Sequence, residues 1–322
     1  MAVAAGPAVG SEEQRVATIT ARWSGEISVA DADLEHYGHD WSPAGPPRAA
    51  AIAFPKSTAE VSSLLRLCHG LGVAVVPSGG RTGLAGGAVA THGEVVLSLE
   101  RMRHMGPVDP ISQTVHVQAG AITESVHEHA EPHGLTWPVD LAAKGSSQVG
   151  GNIATNAGGI RVIRYGNTRE WVLGLTVVLA DGTIIEVPPL HKNNTGLDLK
   201  HLFIGTEGTL GIVTEATLKL APLPKRVDTF LFALKDIEGA LTILREVRSA
   251  GLTPCAFEVF SQACVARLER HRGLRPPVEE APQYAVLDVE GADPAALEAW
   301  IGSLIEGELI VDGTLAADRA QA

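Results

Sequence analysis

A glycine-rich loop near residue 77 is the part of the sequence best suited to bind a ligand. It reads Pro77-Ser78-Gly79-Gly80-Arg81-Thr82-Gly83-Leu84-Ala85-Gly86-Gly87 and follows a short apolar segment. Glycine adopts positive φ at no steric cost and has no side chain to hold a ligand away. Successive backbone N–H groups in such a loop form a nest for an anion. The loop therefore predicts a site for a phosphate or pyrophosphate.

Two further tracts of small residues follow along the chain. One spans residues 144–159, and the other spans residues 205–212. Polar residues are interleaved with the glycines. Tracts of this length and composition contain more than simple turns require. Three tracts of this kind predict an extended ligand, larger than a single phosphate.

The familiar nucleotide-binding motifs do not account for these tracts. A dinucleotide fingerprint needs G-x-G-x-x-G at the start of a helix, and the first spacing is missing at Gly79-Gly80-Arg81-Thr82-Gly83. A P-loop needs G-K-[ST], which does not occur. A G-x-S-x-G nucleophile elbow is also missing, which argues against a hydrolase.

Composition narrows the class of protein. The chain has 322 residues, enough for two domains, and a net charge of -12 that argues against a nucleic-acid partner. Three cysteines cannot make a disulfide framework and predict a reduced, cytoplasmic setting. No apolar run approaches the roughly 18 residues of a membrane span. Residues 1–10 carry no Lys or Arg and predict a loose tail, not a signal peptide.

The order of predicted elements indicates an α+β fold. We expect an N-terminal helical segment over residues 1–47 with helices at 12–23 and 31–37. A larger domain follows over residues 48–224. Its βαβ start contains a capping box at Ser57-Thr58-Ala59-Glu60, and the following helix carries Cys68 on its apolar face. The predicted mixture of hairpins and crossovers argues against a purely doubly wound sheet.

A second domain is expected over residues 225–322. Strands at 229–234, 256–260 and 284–289 and helices at 237–250 and 294–305 give a β-α-β-β-α order. This order is consistent with part of a ferredoxin-like sheet, a partial cap that ends without a closing strand.

Taken together, the motifs resemble the FAD-linked oxidases and dehydrogenases of the vanillyl-alcohol oxidase (PCMH) superfamily. Within it, the chain looks most like the glycolate oxidase, D-lactate dehydrogenase and D-2-hydroxyglutarate dehydrogenase group. Beyond the first loop, the resemblance rests on residues 138–145, 150–159, 164–166, 177–182, 194–199 and 203–212, which occur in family order over most of residues 48–224. It implies a PCMH-type FAD-binding domain of two α/β subdomains, followed by a partial cap domain.

The resemblance implies cofactor-binding roles by motif. The first loop would wrap the FAD pyrophosphate, a second group would line the path to the flavin, and a third would flank ribityl and pyrophosphate. The last tract would hold the adenosine side. The expected cofactor-binding residues are Pro77, Ser78, Gly79, Gly80, Arg81, Thr82, Gly83, Leu84, Asp140, Ser146, Ser147, Gly150, Thr155, Asn156, Ala157, Gly158, Glu207, Gly208, Gly211 and Ile212.

Two departures from the family pattern carry further expectations. Relatives that attach FAD covalently often have His where this chain has Arg81, so FAD is expected to be bound non-covalently, with Arg81 near a phosphate. Family members also continue beyond the position of Ala322 with substrate-binding cations and a divalent metal site. The chain is therefore expected to be truncated, with no metal site and no assignable catalytic residue of its own.

The implied function is oxidation of a small D-2-hydroxy acid, such as D-lactate, glycolate or D-2-hydroxyglutarate, to the 2-oxo acid, with hydride passing to flavin N5. Two alternatives stay open: a catalytically incomplete FAD-binding fragment or subunit, and a different superfamily oxidase acting on a sugar lactone or an aryl alcohol. The expected setting is the cytoplasm, without nucleic acid or a membrane span. A homodimer is possible, and the electron acceptor is not defined by the sequence.

Overall fold

A computed structural model describes residues 11–316 of the chain. The expected N-terminal tail, residues 1–10, lies outside the described residues. The chain divides into two compact units, which are described separately. The first unit contains the residues up to 157 together with 167–222, and the second contains residues 158–166 together with those from 223 onwards.

The first unit contains most of the secondary structure. Its helices are α1 (Glu12–Arg22), α2 (Asp31–Tyr37), α3 (Thr58–Leu71), α4 (Thr123–Ala130) and α5 (Val149–Thr155). Its strands are β1 (Glu26–Ser28), β2 (Ala51–Phe54), β3 (Val75–Ser78), β4 (Val95–Ser98), β5 (Thr114–Gln118), β6 (Leu135–Thr136), β7 (Val172–Val178), β8 (Ile184–Val187), β9 (Ile212–Lys219) and β10 (Ala221–Pro222). Short 3₁₀ turns lie at Glu131–His133, Thr168–Trp171 and Leu199–Leu202.

Two four-stranded sheets organise this unit. One has the order β1-β2-β4-β3, in which β2, β4 and β3 are parallel and β1 is an antiparallel edge. The other has the antiparallel order β5-β9-β7-β8. Strands β2 and β4 are buried along their whole length, as expected for parallel strands covered on both faces. The mixture of parallel and antiparallel sheets confirms the α+β prediction.

Helix α3 forms where its sequence predicts, but only the Ser57 half of the expected capping box is present. The Ser57 hydroxyl accepts a hydrogen bond from the Glu60 N–H at 3.2 Å. The Glu60 carboxylate accepts from the Lys56 N–H at 2.8 Å, one residue before the cap. The buried face of the helix includes Leu64 and Cys68. Burial raises the pKa of the Cys68 thiol to about 12, so this cysteine is a core residue and not a nucleophile.

The second unit is an antiparallel sheet with helices on both faces. Its helices are α6 (Val162–Tyr165), α7 (Ile237–Ser249), α8 (Gln262–Arg272) and α9 (Pro294–Glu306), and its strands are β11 (Val227–Leu234), β12 (Pro254–Ser261), β13 (Gln283–Glu290) and β14 (Asp312–Leu315). The sheet order is β12-β13-β11-β14. One face of the sheet packs with α7 and α9 around Phe230, Phe232 and Trp300. Val265 of α8 joins Ala233 and Tyr284 in a smaller cluster.

The predicted element order of the second unit lacked α8 and β14. Helix α8 buries one residue, Val265. Because a helix with so small a buried face needs no regular apolar stripe, its sequence lacks the periodicity that predicts a helix. Strand β14 starts with Asp312-Gly313, a pair typical of turns, and owes its conformation to pairing with β11. The described sheet therefore has a fourth strand where the sequence predicted no closing strand.

A nine-residue segment, residues 158–166, belongs to the second unit, although the residues on either side of it in the sequence belong to the first. Within that unit, the Tyr165 hydroxyl lies 2.8 and 2.7 Å from the two carboxylate oxygens of Glu290 on β13. Burial, reinforced by this hydrogen bond, raises the pKa of Tyr165 to about 12. The tyrosine therefore stays protonated and donates to Glu290.

Candidate cofactor site

The glycine-rich loop leaves the parallel sheet at the carboxyl end of β3. Ser78, the last residue of β3, is fully buried, and its carbonyl accepts from the Leu99 N–H at 3.0 Å. Ligands of open α/β sheets bind outside the carboxyl ends of the strands. The loop therefore begins where such a sheet is expected to bind its ligand.

A cavity of about 540 Å³ lies against this loop. All three small-residue tracts contribute to its wall, and every lining residue belongs to the first unit. The lining residues are Asp40, Pro77, Ser78, Gly79, Gly80, Arg81, Thr82, Gly83, Leu84, Ala85, Gly87, Ala88, Leu99, Leu141, Ala142, Ala143, Ser147, Gln148, Gly150, Gly151, Asn152, Ala154, Thr155, Ala157, Phe203, Glu207, Gly208, Gly211, Ile212 and Val213.

The third tract contacts both of the other tracts. The Glu207 N–H donates to the Ala154 carbonyl at 2.8 Å, which joins the third tract to the second. Gly208 has φ +79°, and a Cβ built on it would lie 2.6 Å from the Pro77 ring, so the third tract also touches the first. The wall of the cavity is therefore one assembly, although its parts are far apart in sequence.

The glycines of the wall serve two different purposes. A Cβ on Gly80 would lie 2.1 Å from the Ser146 carbonyl oxygen, so this glycine is required by packing between the first and second tracts. A Cβ built on Gly79 would have its nearest neighbouring atom at 3.6 Å, and a Cβ built on Gly151 would have none within 4 Å. Both of these open positions line the cavity. Their missing side chains leave room that the protein itself does not fill.

Charge in the cavity wall is sparse. Among its lining residues, all of them described, Arg81 is the one cation, and Asp40 and Glu207 are the two carboxylates. The Arg81 guanidinium lies 4.6 Å from the centre of the Tyr37 ring, and its Nη2 lies 3.0 Å from His36 Nε2. The guanidinium is thus engaged by α2. The expected contact of Arg81 with a phosphate stays a prediction.

Most of the predicted cofactor residues line the cavity, and four do not. Asp140 pairs with Lys144 at 3.1 Å, and the Ser146 hydroxyl lies 3.4 Å from the Ala143 carbonyl. Asn156 has φ +49°, and its side-chain oxygen accepts from the Arg169 N–H at 2.9 Å. Gly158 belongs to the second unit. The structure brings the other predicted residues together around one cavity.

Several lining residues were not predicted from the sequence. Gln148 and Asn152 lie in the second tract, but the prediction selected other residues of that tract as cofactor-binding. Leu99 is an ordinary apolar residue with no local signal. Phe203 opens the motif at 203–212 but was not assigned to the site. Asp40 lies between the helix expected at 31–37 and the domain expected from residue 48, where the sequence predicts no site. Their places in the wall depend on long-range packing, which no local pattern reports.

The described residues show no metal-binding cluster, and Cys255 is not activated as a nucleophile. Within residues 11–316, no three His, Cys, Asp or Glu side chains form a group able to hold a metal ion. Burial raises the pKa of the Cys255 thiol to about 11, which leaves it protonated at neutral pH. No helix in this part of the chain is long and apolar enough to cross a bilayer.

An FAD molecule fits the chemistry of this wall. A pyrophosphate is well served by neutral backbone donors and by the close approach that glycine permits. Gly79 and Gly151 leave the necessary space, and no lysine or arginine is required because the loop itself offers N–H groups.

Comparison with known proteins agrees with this chemistry. A family model described as an FAD binding domain matches residues 49–188, and one described as the C-terminal domain of FAD linked oxidases matches residues 223–322. The chain is 47% identical to a D-2-hydroxyglutarate dehydrogenase of Xanthomonas citri over 92% of its length, and 40% identical to one of Stutzerimonas stutzeri over 91%. It spans 63% and 64% of the lengths of these relatives.

Solved structures share the fold at lower identity. An alkyldihydroxyacetonephosphate synthase superposes with a TM-score of 0.77 at 19% identity, covering 98% of this chain and 63% of the other. A chitooligosaccharide oxidase gives a TM-score of 0.70 at 18% identity, covering 94% of this chain and 60% of the other. The two family models together account for most of the chain. The chain therefore belongs to the family of FAD-linked oxidases and dehydrogenases in which an FAD binding domain precedes the C-terminal domain of FAD linked oxidases.

Proposed function

We propose that this chain binds FAD non-covalently and serves in the dehydrogenation of a D-2-hydroxy acid, with D-2-hydroxyglutarate as the preferred substrate. The observation that carries the proposal is the 47% identity, over 92% of the chain, to a protein named D-2-hydroxyglutarate dehydrogenase. Related names include a putative D-lactate dehydrogenase at 37% identity, so D-lactate and glycolate are the next substrates to test.

The residues of the cavity have clear tasks in this proposal. FAD supplies the redox chemistry by accepting hydride when it is bound. The glycine-rich loop holds its pyrophosphate with backbone N–H groups, and Gly79 and Gly151 leave room for it. The apolar wall residues Leu99, Phe203 and Val213 exclude water from the same cavity.

A second candidate follows from the charges of the wall. A dicarboxylate substrate is bound by convergent cationic donors, usually Arg or Lys. The one cation among the described lining residues, Arg81, is engaged by Tyr37 and His36. The second candidate is therefore a catalytically incomplete FAD-binding chain whose substrate-binding cations come from outside this wall.

One experiment separates the two candidates. The purified protein is loaded with FAD and precipitated with acid, and non-covalent binding predicts that the yellow flavin stays in the supernatant. A second sample is mixed anaerobically with D-2-hydroxyglutarate, D-lactate or glycolate, with L-2-hydroxyglutarate as the control. Bleaching of the flavin by a D-acid alone supports the dehydrogenase. An FAD-loaded protein that none of the acids bleaches supports the second candidate and contradicts the first.

A further inference from the structure

Asp40 is a buried carboxylate in the cavity wall with one of its oxygens unused by the protein. The residue as a whole is 6% exposed. Its Oδ1 accepts a hydrogen bond from the Ser42 N–H at 2.8 Å, which closes a local turn. Among the described residues no donor lies on Oδ2, which faces the glycine-rich loop 3.6 Å from a Cβ built on Gly83. The wall of the cavity therefore contains a carboxylate oxygen that makes no hydrogen bond within the described residues and has room beside it.

The protein leaves this carboxylate without a counter-ion. The Arg81 guanidinium, two residues before Gly83, is turned to the Tyr37 ring and to His36. The backbone of this region is held by a 3.0 Å hydrogen bond from the Trp41 N–H to the Gly83 carbonyl. Oδ2 is therefore free to accept a hydrogen bond from a ligand in the cavity.

The chemistry of the ligand determines which group can meet Asp40. Phosphate oxygens are repelled by a carboxylate, so the pyrophosphate cannot lie on Oδ2. Hydroxyls are good donors to a carboxylate, and acidic residues hold ribose hydroxyls in other dinucleotide sites. FAD carries hydroxyls on both sides of its pyrophosphate, on the adenosine ribose and on the ribityl chain.

We propose that Asp40 is a hydroxyl-binding residue of the cofactor site, whose Oδ2 accepts a hydrogen bond from a sugar hydroxyl of FAD. Asp40 precedes the residues matched by the FAD binding family model, which begin at 49. The proposal rests on FAD being the cofactor and is independent of which acid is oxidised.

The test compares nucleotide binding by apoprotein with and without the Oδ2 acceptor. Asp40→Asn keeps the shape of the side chain and the turn acceptor for Ser42, but replaces the charged oxygen by an amide. Because a hydrogen bond to a charged group is the stronger kind, FAD affinity is expected to fall about tenfold in a calorimetric titration. Asp31→Asn removes the same charge from the exposed start of α2 and is expected to leave FAD affinity unchanged.

Two further arms identify the hydroxyl. Weaker binding of ADP with unchanged binding of FMN assigns the contact to the adenosine ribose, and the reverse result assigns it to the ribityl chain. Wild-type protein is also titrated with FAD analogues that lack a ribose or a ribityl hydroxyl. One analogue is expected to bind about tenfold more weakly than FAD. This measurement decides the matter even if the Asn variant does not fold.

Three outcomes overturn the proposal. The first is an FAD affinity of Asp40→Asn that is unchanged or tighter. The second is equal weakening of ADP and FMN binding in that variant together with a lower melting temperature of the apoprotein, and the third is equal affinity of the wild-type protein for FAD and for every deoxy analogue. Each readout is binding, whereas the proposed dehydrogenase function is tested by flavin bleaching. A failure of one can therefore be told from a failure of the other.

Discussion

At the scale of single residues, the structure separates glycines that the protein needs from glycines that leave room for a ligand. The sequence shows Gly79 and Gly80 as an indistinguishable pair. In the structure, a side chain at Gly80 would overlap the Ser146 carbonyl, whereas one at Gly79 would meet only ordinary contacts. Glycine-rich loops therefore mix packing and binding requirements, and only three-dimensional neighbours distinguish them.

This difference makes a testable prediction for the apoprotein. Gly80→Ala is expected to lower the free energy of unfolding by about 1–3 kcal/mol, because its Cβ would lie 2.1 Å from a backbone oxygen that has to move. Gly79→Ala, with its nearest neighbour at 3.6 Å, is the matched control and is expected to stay within about 0.5 kcal/mol of wild type. Urea unfolding measures both. Equal midpoints for the two variants would show that the loops do not pack as described.

At the scale of elements, the sequence predicts most strongly where periodicity and turn chemistry agree. Helix α3 forms where its apolar periodicity predicts a helix. The β7–β8 hairpin turns at Asp181-Gly182, a pair typical of such turns, with Gly182 at φ +82°. Helix α5 was missed because the tract that forms it, Val149-Gly150-Gly151-Asn152-Ile153-Ala154-Thr155, is rich in glycine, which disfavours helices. Packing of Val149 and Ile153 in the core overrides that preference.

The same limit applies to the candidate site. The three small-residue tracts predicted its position, because backbone that approaches a ligand has a compositional signature. Asp40 and Leu99 could not be predicted, since a single residue contributed by a distant segment leaves no pattern in the sequence. Arg81 was assigned to a phosphate by position alone, and the Tyr37 ring that engages it comes from α2.

The cap of α3 makes the second prediction. Ser57→Ala removes the hydroxyl that accepts from the Glu60 N–H, and is expected to destabilise the apoprotein by about 1 kcal/mol. Ser249→Ala, at the exposed last residue of α7, removes a hydroxyl that caps nothing and serves as the control. Chemical denaturation followed by circular dichroism measures both variants. A Ser57→Ala midpoint equal to that of the control would contradict the capping role.

At the scale of the whole molecule, each unit has its own hydrophobic core. The core of the first unit gathers around residues such as Trp137 and Leu218, and that of the second gathers around Phe232 and Trp300. All residues that line the cofactor cavity belong to the first unit. FAD is therefore expected to act on the stability of one unit directly.

Calorimetry of the unfolding transitions tests this expectation. A ligand that binds only the native state stabilises it by about 2.7 kcal/mol at a hundred times its dissociation constant. We expect FAD to raise the melting temperature of the first unit and to leave the transition of the second unit in place. Leu304→Ala, in the fully buried core of α9, identifies the second transition, because it is expected to cost that unit about 2–5 kcal/mol. The same variant is expected to leave the FAD-dependent shift intact. A single transition that moves as a whole, both with FAD and with Leu304→Ala, would instead show that the two cores unfold as one cooperative unit.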